Sequence, residues 1–437
     1  MKIAIIGAGF GGMAAAYDLR RAGHEVEIFE SAAQVGGLAA GFKEPHWDWS
    51  LEQYYHHWFA TDRHVLGLIG ELGWRDKVLF PRPYTVVYWE GKFYPFDSIF
   101  SNIPLFILRH FPLLDAVRYG LAGAYLRFTP WWKPLERVTA ETWTRRWFGE
   151  RVYALQWQPL LESKFGERYY QQVNMAWLWA RLHVRTTRLG TFEGGFQAFA
   201  EMFAARLREM VVSIQLNTSV SQIRQNPNGG LKLTTAQGEH VADQCLVTTS
   251  PALLAKLAPE LPEEYLRGVL ELKSMGAVVM VLSLTQQLSR EGYYWFNLPK
   301  SAGFPFLALV EHTNFISAEH YGGDHLVYLG DYLEPDHEYF QLTHEELLQR
   351  FLPSLTRFNP DFRPNWVRKS WLFRTNYAQP VPLINHSQNI PDIRTPLPGL
   401  FFASMSQVYP WDRGTNFAVE IGRRAAKLML TGRNTVE

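Results

Sequence analysis

The run Lys2-Ile3-Ala4-Ile5-Ile6-Gly7-Ala8-Gly9-Phe10-Gly11-Gly12 decides how this chain is read. Residues 2–6 form an apolar stretch of strand type, and Met13 to Leu19 beyond the glycines reads as a helix. His24-Glu25-Val26-Glu27-Ile28-Phe29 is a second strand, and it ends on Glu30. Strand, glycine turn, helix, strand and acid together make the dinucleotide-binding fingerprint. Gly7 permits the tight turn, Gly9 lets backbone approach a pyrophosphate, and Gly12 lets the helix lie close on the strand. Phe10 and Gly11 stand at the start of that helix, whose N-terminus offers N–H groups and a positive dipole end to a phosphate. Glu30 stands about 20 residues beyond the glycines, where a carboxylate accepts hydrogen bonds from an adenosine ribose. The acid argues against a 2′-phosphate, and the fingerprint alone does not separate FAD from NAD.

At 437 residues the chain exceeds one ordinary core, which points to two domains. Apolar residues at 47% and charged residues at 19% describe a globular protein, and a net charge of +1 gives no reason to expect nucleic acid. The single cysteine, Cys245, excludes an internal disulfide and a cysteine-based metal cluster, and its neighbours Leu246 and Val247 mark it as a buried hydrophobe. No signal peptide opens the sequence and no apolar run is long enough to span a bilayer, so the expected location is a reducing cytoplasm. Aromatic residues at 15% suggest a large apolar pocket or surface.

Moving outward from the fingerprint, Gly36-Gly37-Leu38 is a glycine pair that lets backbone pass close to a bulky planar group. In His46 to Phe59, His56 and His57 are candidate proton carriers or anion contacts; adjacent side chains diverge, so only one of the pair faces a given site. Residues 103–132 mix apolar residues with Arg109, Arg118 and Arg127, as in a helical lid on the substrate domain or a peripheral contact with the inner face of a membrane. Lys164, Arg181 and Arg185 are candidates for holding an anionic group. Glu311 and His312 interrupt an apolar run as a candidate acid/base pair. Arg374, Tyr377 and Gln379 read as one strand face lining a common wall. Pro398 to Ser404 is a strand, Met405 to Thr415 a loop rich in functional residue types, and Asn416 onward a helix.

These stretches resemble the flavoprotein superfamily of amine oxidases, protoporphyrinogen oxidases, phytoene-type desaturases and UDP-galactopyranose mutases. The segment from Ser31 through Gly36, Gly37 and Leu38 is similar to its second FAD motif, which turns the implied cofactor from NAD to FAD. The resemblance implies Val220 as the residue whose backbone pairs with adenine. It implies that the closing strand and helix meet the flavin through Ser404, Met405, Gly414, Thr415, Asn416 and Phe417, and a helix dipole there stabilises negative charge on reduced flavin. Ser404-Met405 replaces the usual Gly-Asp, which leaves Asp412 as the candidate ribityl ligand. The strand from Met275 to Leu284 carries Val and Met280 where amine oxidases place a lysine. His56 to Asp62 and Tyr409 to Asp412 are similar to mutase segments.

The implied fold is α/β, with a Rossmann-type FAD-binding domain assembled from residues 1–80, 191–272 and 391–437. An α+β substrate domain takes its helical part from 81–190 and its antiparallel sheet from 273–390. Neither substrate identity nor oligomeric state is legible. The implied activity is that of an FAD-dependent oxidoreductase taking a hydride from a C–H or C–N bond of a largely apolar or amphipathic small molecule. His56, His57, Glu311, Tyr377 and Tyr409 are its catalytic candidates. The alternative is a redox-neutral mutase or isomerase acting on a nucleotide sugar, and a third reading is a non-catalytic FAD-bound carrier.

Overall fold

The computed structural model describes residues 1–98, 101–184 and 186–431, so the candidate Arg185 lies outside the described residues. The chain opens with β1 (Lys2–Ile6), α1 (Phe10–Arg21) and β2 (Glu25–Phe29), then α2 (Arg63–Glu71). A hairpin of β3 (Thr85–Trp89) and β4 (Lys92–Pro95) follows. Its turn residues Glu90 and Gly91 both have positive φ, 46° and 81°, as a two-residue hairpin turn requires. Next come α3 (Asn102–His110), α4 (Leu113–Phe128), α5 (Gln158–Tyr169) and α6 (Met175–Val184). The strands β5 (Ser213–Gln215), β6 (Gln244–Val247), β7 (Ser274–Leu284), β8 (Trp295–Asn297), β9 (Ala308–Glu311), β10 (His325–Leu333) and β11 (Val367–Pro380) lead to β12 (Leu400–Phe402) and α7 (Thr415–Thr431). Shorter elements lie between these.

Five strands form a parallel sheet in the order β5-β2-β1-β6-β12. Its strands come from residues 2–29, 213–247 and 400–402, three stretches far apart in the chain. Successive side chains serve opposite faces. Ile3 and Ile5 join the core under α1 and α7, while Ala4, Ile6 and the fully buried Cys245 join the core on the other side. α1 and α7 touch closely, and a Cβ on Gly422 would lie 2.1 Å from the Gly11 carbonyl oxygen. Arg423 on α7 locks the contact by pairing with Asp18 at 2.9 Å and Glu71 at 2.7 Å.

Seven strands form the second sheet, ordered β11-β7-β10-β9-β8-β3-β4 and antiparallel except at β8/β3. The hairpin of β3 and β4 lies within the stretch 81–190 expected as the helical part and forms the edge of this sheet, because Thr85–Val87 pairs with Trp295–Asn297. β7 is flanked on both edges and ten of its eleven residues are buried, which is why it reads as an unbroken apolar run.

α3 and α4 leave an apolar face outward. Leu105, Leu113, Leu114, Leu121, Phe128 and Trp131 are each 65–72% exposed. Leu113, Val117 and Leu121 recur at four-residue spacing, so they share one side of α4. Among the described residues no helix is long and apolar enough to cross a membrane.

Candidate functional site

A cavity of about 530 Å³ is lined from both sheets. The parallel sheet supplies Gly7, Gly9, Phe10, Gly11, Gly12, Glu30, Gly36, Gly37 and Leu38. The segments after β12 add Ser404, Met405, Asp412, Gly414 and Thr415. The second sheet and the helices add Lys164, Arg181, Trp295, Asp331, Tyr332 and Tyr377, and His56 and His57 line the same space.

Gly7, Gly12 and Gly36 are required by the chain's own geometry, and Gly9 leaves open space. Gly7 has φ +107°, and a Cβ on Gly12 would sit 2.1 Å from the Gly7 carbonyl oxygen. Gly36 has φ +118° and bridges to Gly9, donating its N–H to the Ala8 carbonyl at 3.0 Å. A Cβ on Gly9 would meet nothing nearer than the Gly37 Cα at 3.9 Å, and no side chain caps the N-terminus of α1. Glu30 Oε2 accepts the Ala8 N–H at 2.8 Å and Oε1 accepts the Ala32 N–H at 2.8 Å, so the carboxylate is fixed beside the turn. An uncapped helix start, a fixed carboxylate and a Cβ-free turn fit the diphosphate and ribose of FAD.

Four cofactor candidates fall outside the cavity lining. The Asn416 side chain caps α2, its Oδ1 accepting the N–H groups of His64 and Val65 at 2.9 and 3.1 Å. Its neighbour Thr415 lines the cavity and accepts Trp58 Nε1–H at 2.7 Å. Phe417 stacks on Trp411 with centroids 5.8 Å apart. Val220 is buried beneath the parallel sheet, and the Ser31 hydroxyl donates to Glu30 at 3.3 Å.

The catalytic candidates separate in the same way. His56 and His57 both line the cavity, contrary to the expectation of one. They approach from different walls, His56 against Phe196 and His57 between Phe59 and Trp295. His56 Nδ1–H donates to the Tyr54 carbonyl at 2.6 Å, and burial lowers its pKa to about 4, so the ring is neutral at neutral pH. Tyr377 shares a hydrogen bond with the Ser406 hydroxyl at 2.9 Å and accepts the Ser406 N–H at 2.9 Å. Glu311 lies away from the cavity, its two oxygens accepting the N–H groups of Leu288 and Ser289 at 2.6 and 2.8 Å. Tyr409 is also outside, its ring packed on Trp132 and His386. Arg374 leaves the expected common wall, because a position three residues before Tyr377 points to the opposite face; it donates to the carbonyls of Tyr339 and Leu342.

A cluster of charge lies between the helices and the second sheet. Arg181 pairs with Asp412, which also accepts from Trp177 and Gln379 at 3.3 Å. Burial raises the Asp412 pKa, but Arg181, Arg413 and Lys164 outweigh it and hold the carboxyl at about 2. Arg413 donates to the Ala378 carbonyl at 2.6 Å and to the Tyr332 hydroxyl. Lys164 Nζ lies 4.2 Å from the centre of the Tyr332 ring, and burial lowers its pKa to about 8. Burial pushes the Tyr332 phenol up, yet Arg413 and Lys164 overcome this and bring it to about 7. Asp331 carries no such neighbour strongly enough, and burial raises its pKa well above the usual range. Asp331 and Tyr332 were not singled out from sequence, although an acid inside the apolar run 326–333 was the available signal.

The parallel sheet, glycine turn and fixed acid define a dinucleotide-binding flavoprotein fold. The model of the flavin containing amine oxidoreductase family matches residues 10–430, and the chain belongs to that family. The 15-cis-phytoene desaturase of Narcissus pseudonarcissus is 22% identical over 392 residues, which are 83% of this chain and 66% of that protein. The chain thus spans just under two thirds of that relative's length. Among solved structures, a putative protoporphyrinogen oxidase from Exiguobacterium sp. 255-15 matches with a TM-score of 0.77 at 18% identity, over 99% of both chains. A reduced UDP-galactopyranose mutase matches with a TM-score of 0.76 at 14% identity, over 99% of this chain and 96% of its own. At such identities the likeness to both structures is one of fold.

Proposed function

We propose that this chain removes a hydride from a C–H or C–N bond of a largely apolar or amphipathic small molecule bound in the cavity. The observation that carries the reading is one continuous cavity joining the glycine turn and Glu30 to a wall of aromatic and charged side chains from the second sheet. FAD, when bound, accepts the hydride. Gly7, Gly9, Gly12, Glu30, Gly36, Gly37 and the start of α7 hold the cofactor, and the stretches 1–80, 191–272 and 391–437 form its domain. That the parallel sheet draws its strands from these ranges supports the division. His56, neutral through burial, and His57 orient the substrate, Tyr377 positions the loop at Ser406, and Tyr332 accepts a proton. Trp295 and Tyr55 keep water out.

The redox-neutral alternative is supported by the fold shared with the mutase and by His57 in the cavity lining, while its Tyr409 lies outside. Anaerobic mixing separates the two. Candidate substrates are expected to bleach the bound flavin without added reductant; activity that appears only after dithionite, with no net flavin turnover, overturns the oxidative reading.

We infer further that the outward face of α3 and α4 meets an anionic lipid surface. Its apolar side chains are supported by charge: residues 102–134 hold Arg109, Arg118, Arg127 and Lys133 against Asp115 alone.

A further inference from the structure

The charge inside the cavity is unbalanced. Three cations line it, Lys164, Arg181 and Arg413. Of the two carboxyl groups in the lining near them, Asp412 is committed to Arg181, and Asp331 is driven toward its neutral form by burial. Arg413 gives two of its five N–H donors to the Ala378 carbonyl and the Tyr332 hydroxyl. Among the described residues no carboxylate lies within ion-pair distance of Lys164; its anionic neighbours are the Tyr332 phenol, which it shares with Arg413, and the more distant Asp412, already paired with Arg181. An ammonium withdrawn from water with no carboxylate paired to it costs several kcal/mol, and a desolvated cation–π contact returns about 2 kcal/mol of that. Such an arrangement is stable in the resting protein only at a cost, and an anion arriving with a ligand removes that cost.

The helices place the cations for this. Leu160 and Lys164 stand one turn apart on α5 and both line the cavity, with Ser163 beside them. Arg181 stands on α6 one turn beyond Trp177, whose ring lies 5.1 Å from the guanidinium carbon. Lys164 feels the repulsion of Arg181 and Arg413, so the cations share one region of the cavity. The remaining lining is largely aromatic and aliphatic, including Phe59, Leu189, Trp295 and Val279.

We propose that the substrate is an amphipathic anion, its apolar body in the aromatic part of the cavity and its carboxylate or phosphate held by Lys164 with Arg181 alongside. This rests on the reading that the cavity is the substrate site, and it narrows that reading: a pure hydrocarbon leaves Lys164 uncompensated, and an amine is repelled.

The test is calorimetric titration of the FAD-loaded protein with octanoate, octyl phosphate, octanol and octylamine, near neutral pH. At least one anionic probe is expected to bind about tenfold or more tightly than octanol, with octylamine weakest. The preferred anion distinguishes carboxylate from phosphate. Lys164→Met is expected to lose that preference while leaving octanol affinity and flavin content unchanged, and Lys164→Arg is expected to restore it. Equal or tighter binding of octanol or octylamine overturns the proposal. So does a Lys164→Met variant that weakens all four probes alike, and Lys164→Gln repeats the test should the methionine variant not fold. Failure here is separable from failure of the oxidative reading. Anion-selective binding in a protein whose flavin no donor bleaches sinks the reaction and keeps the site; bleaching without anion preference does the reverse.

Discussion

Glu30 Oε2 accepts the Ala8 N–H at 2.8 Å, which ties the end of β2 to the turn after β1. A charge-assisted bond of this kind contributes roughly 1.5–3 kcal/mol, and Glu30 makes a second one to Ala32. Glu30→Ala is therefore expected to lower both flavin affinity, by about tenfold or more, and the melting temperature of the flavin-free protein. Flavin retained after gel filtration and a thermal scan of the apoprotein measure the two effects. A variant that keeps its flavin and its apoprotein stability would place Glu30 outside the site.

Two glycine-to-alanine changes are expected to differ in sign. At Gly12 the new Cβ would lie 2.1 Å from a backbone oxygen, so β1 and α1 are forced apart and the protein loses flavin and stability together. At Gly67, inside α2 with nothing within 4 Å, alanine is expected to stabilise by up to about 1 kcal/mol. Parallel chemical denaturation of both variants checks this.

Glu311→Gln and Tyr377→Phe divide structure from function. Glutamine offers one acceptor oxygen to the two N–H groups of Leu288 and Ser289, and leaving one buried donor unmet costs about 1–3 kcal/mol. The folded variant is expected to reduce its flavin at the native rate. Tyr377→Phe removes the partner of the buried Ser406 hydroxyl and leaves the Ser406 N–H only the Ser404 hydroxyl at 3.3 Å, so a slower rate of flavin reduction is expected together with a lower melting temperature. Stopped-flow reduction of each variant is the readout.

Buried histidines set an acid limit. Burial lowers the pKa of His312 to about 3 and of His386 to about 4 in the folded chain, against 6.5 for the free side chain. Between those values the unfolded chain binds more protons than the folded one, so stability rises with pH across that window. The contribution is fully present above 6.5 and is lost as pH falls toward 4, on the order of 3 kcal/mol for each histidine. His312→Gln is expected to flatten the fall in melting temperature over this range, and an unchanged slope would count against the assignment.

The α3–α4 face is expected to bind vesicles that contain phosphatidylserine and to release them at high salt. Leu113→Glu with Leu121→Glu, both at exposed positions, is expected to abolish co-sedimentation without changing the melting temperature. Equal binding to uncharged vesicles, or binding by the double variant, would remove the role of this face.

The glycine fingerprint was legible because its parts are contiguous: a turn, a helix start and two short strands are set by local chemistry, with Gly7 at positive φ and Gly12 packed on the Gly7 carbonyl, although the atom crowding a Cβ on Gly7 is the Thr248 hydroxyl. The other wall was not legible in the same way. Tyr332 and Asp331 reach the cavity through strand register, and Arg374 and Tyr377 fall on opposite faces near a break in pairing between Met275–Gln379 and Ala277–Thr375. Glu311 and Asp331 carry the same signal, an acid in an apolar strand. Only the packing of the 288–289 backbone against one of them tells which is a cap and which is at the cavity. Thr415 and Asn416 are neighbours in sequence, and the start of α7 turns one inward and the other toward α2.

The parallel sheet gains its fifth strand from residues 400–402, and α7 then packs on α1 through Gly11 and Gly422. The turn at residues 7–12 is thus finished by a stretch some 400 residues further along. During synthesis α1 waits with its glycine surface uncovered until some 400 further residues have emerged, a long-range closure of the kind that slows folding and exposes intermediates to aggregation. Flavin capture accordingly waits on residues 400–431, and a truncation before residue 400 is expected to yield a colourless, protease-sensitive product even though every residue of the fingerprint is present.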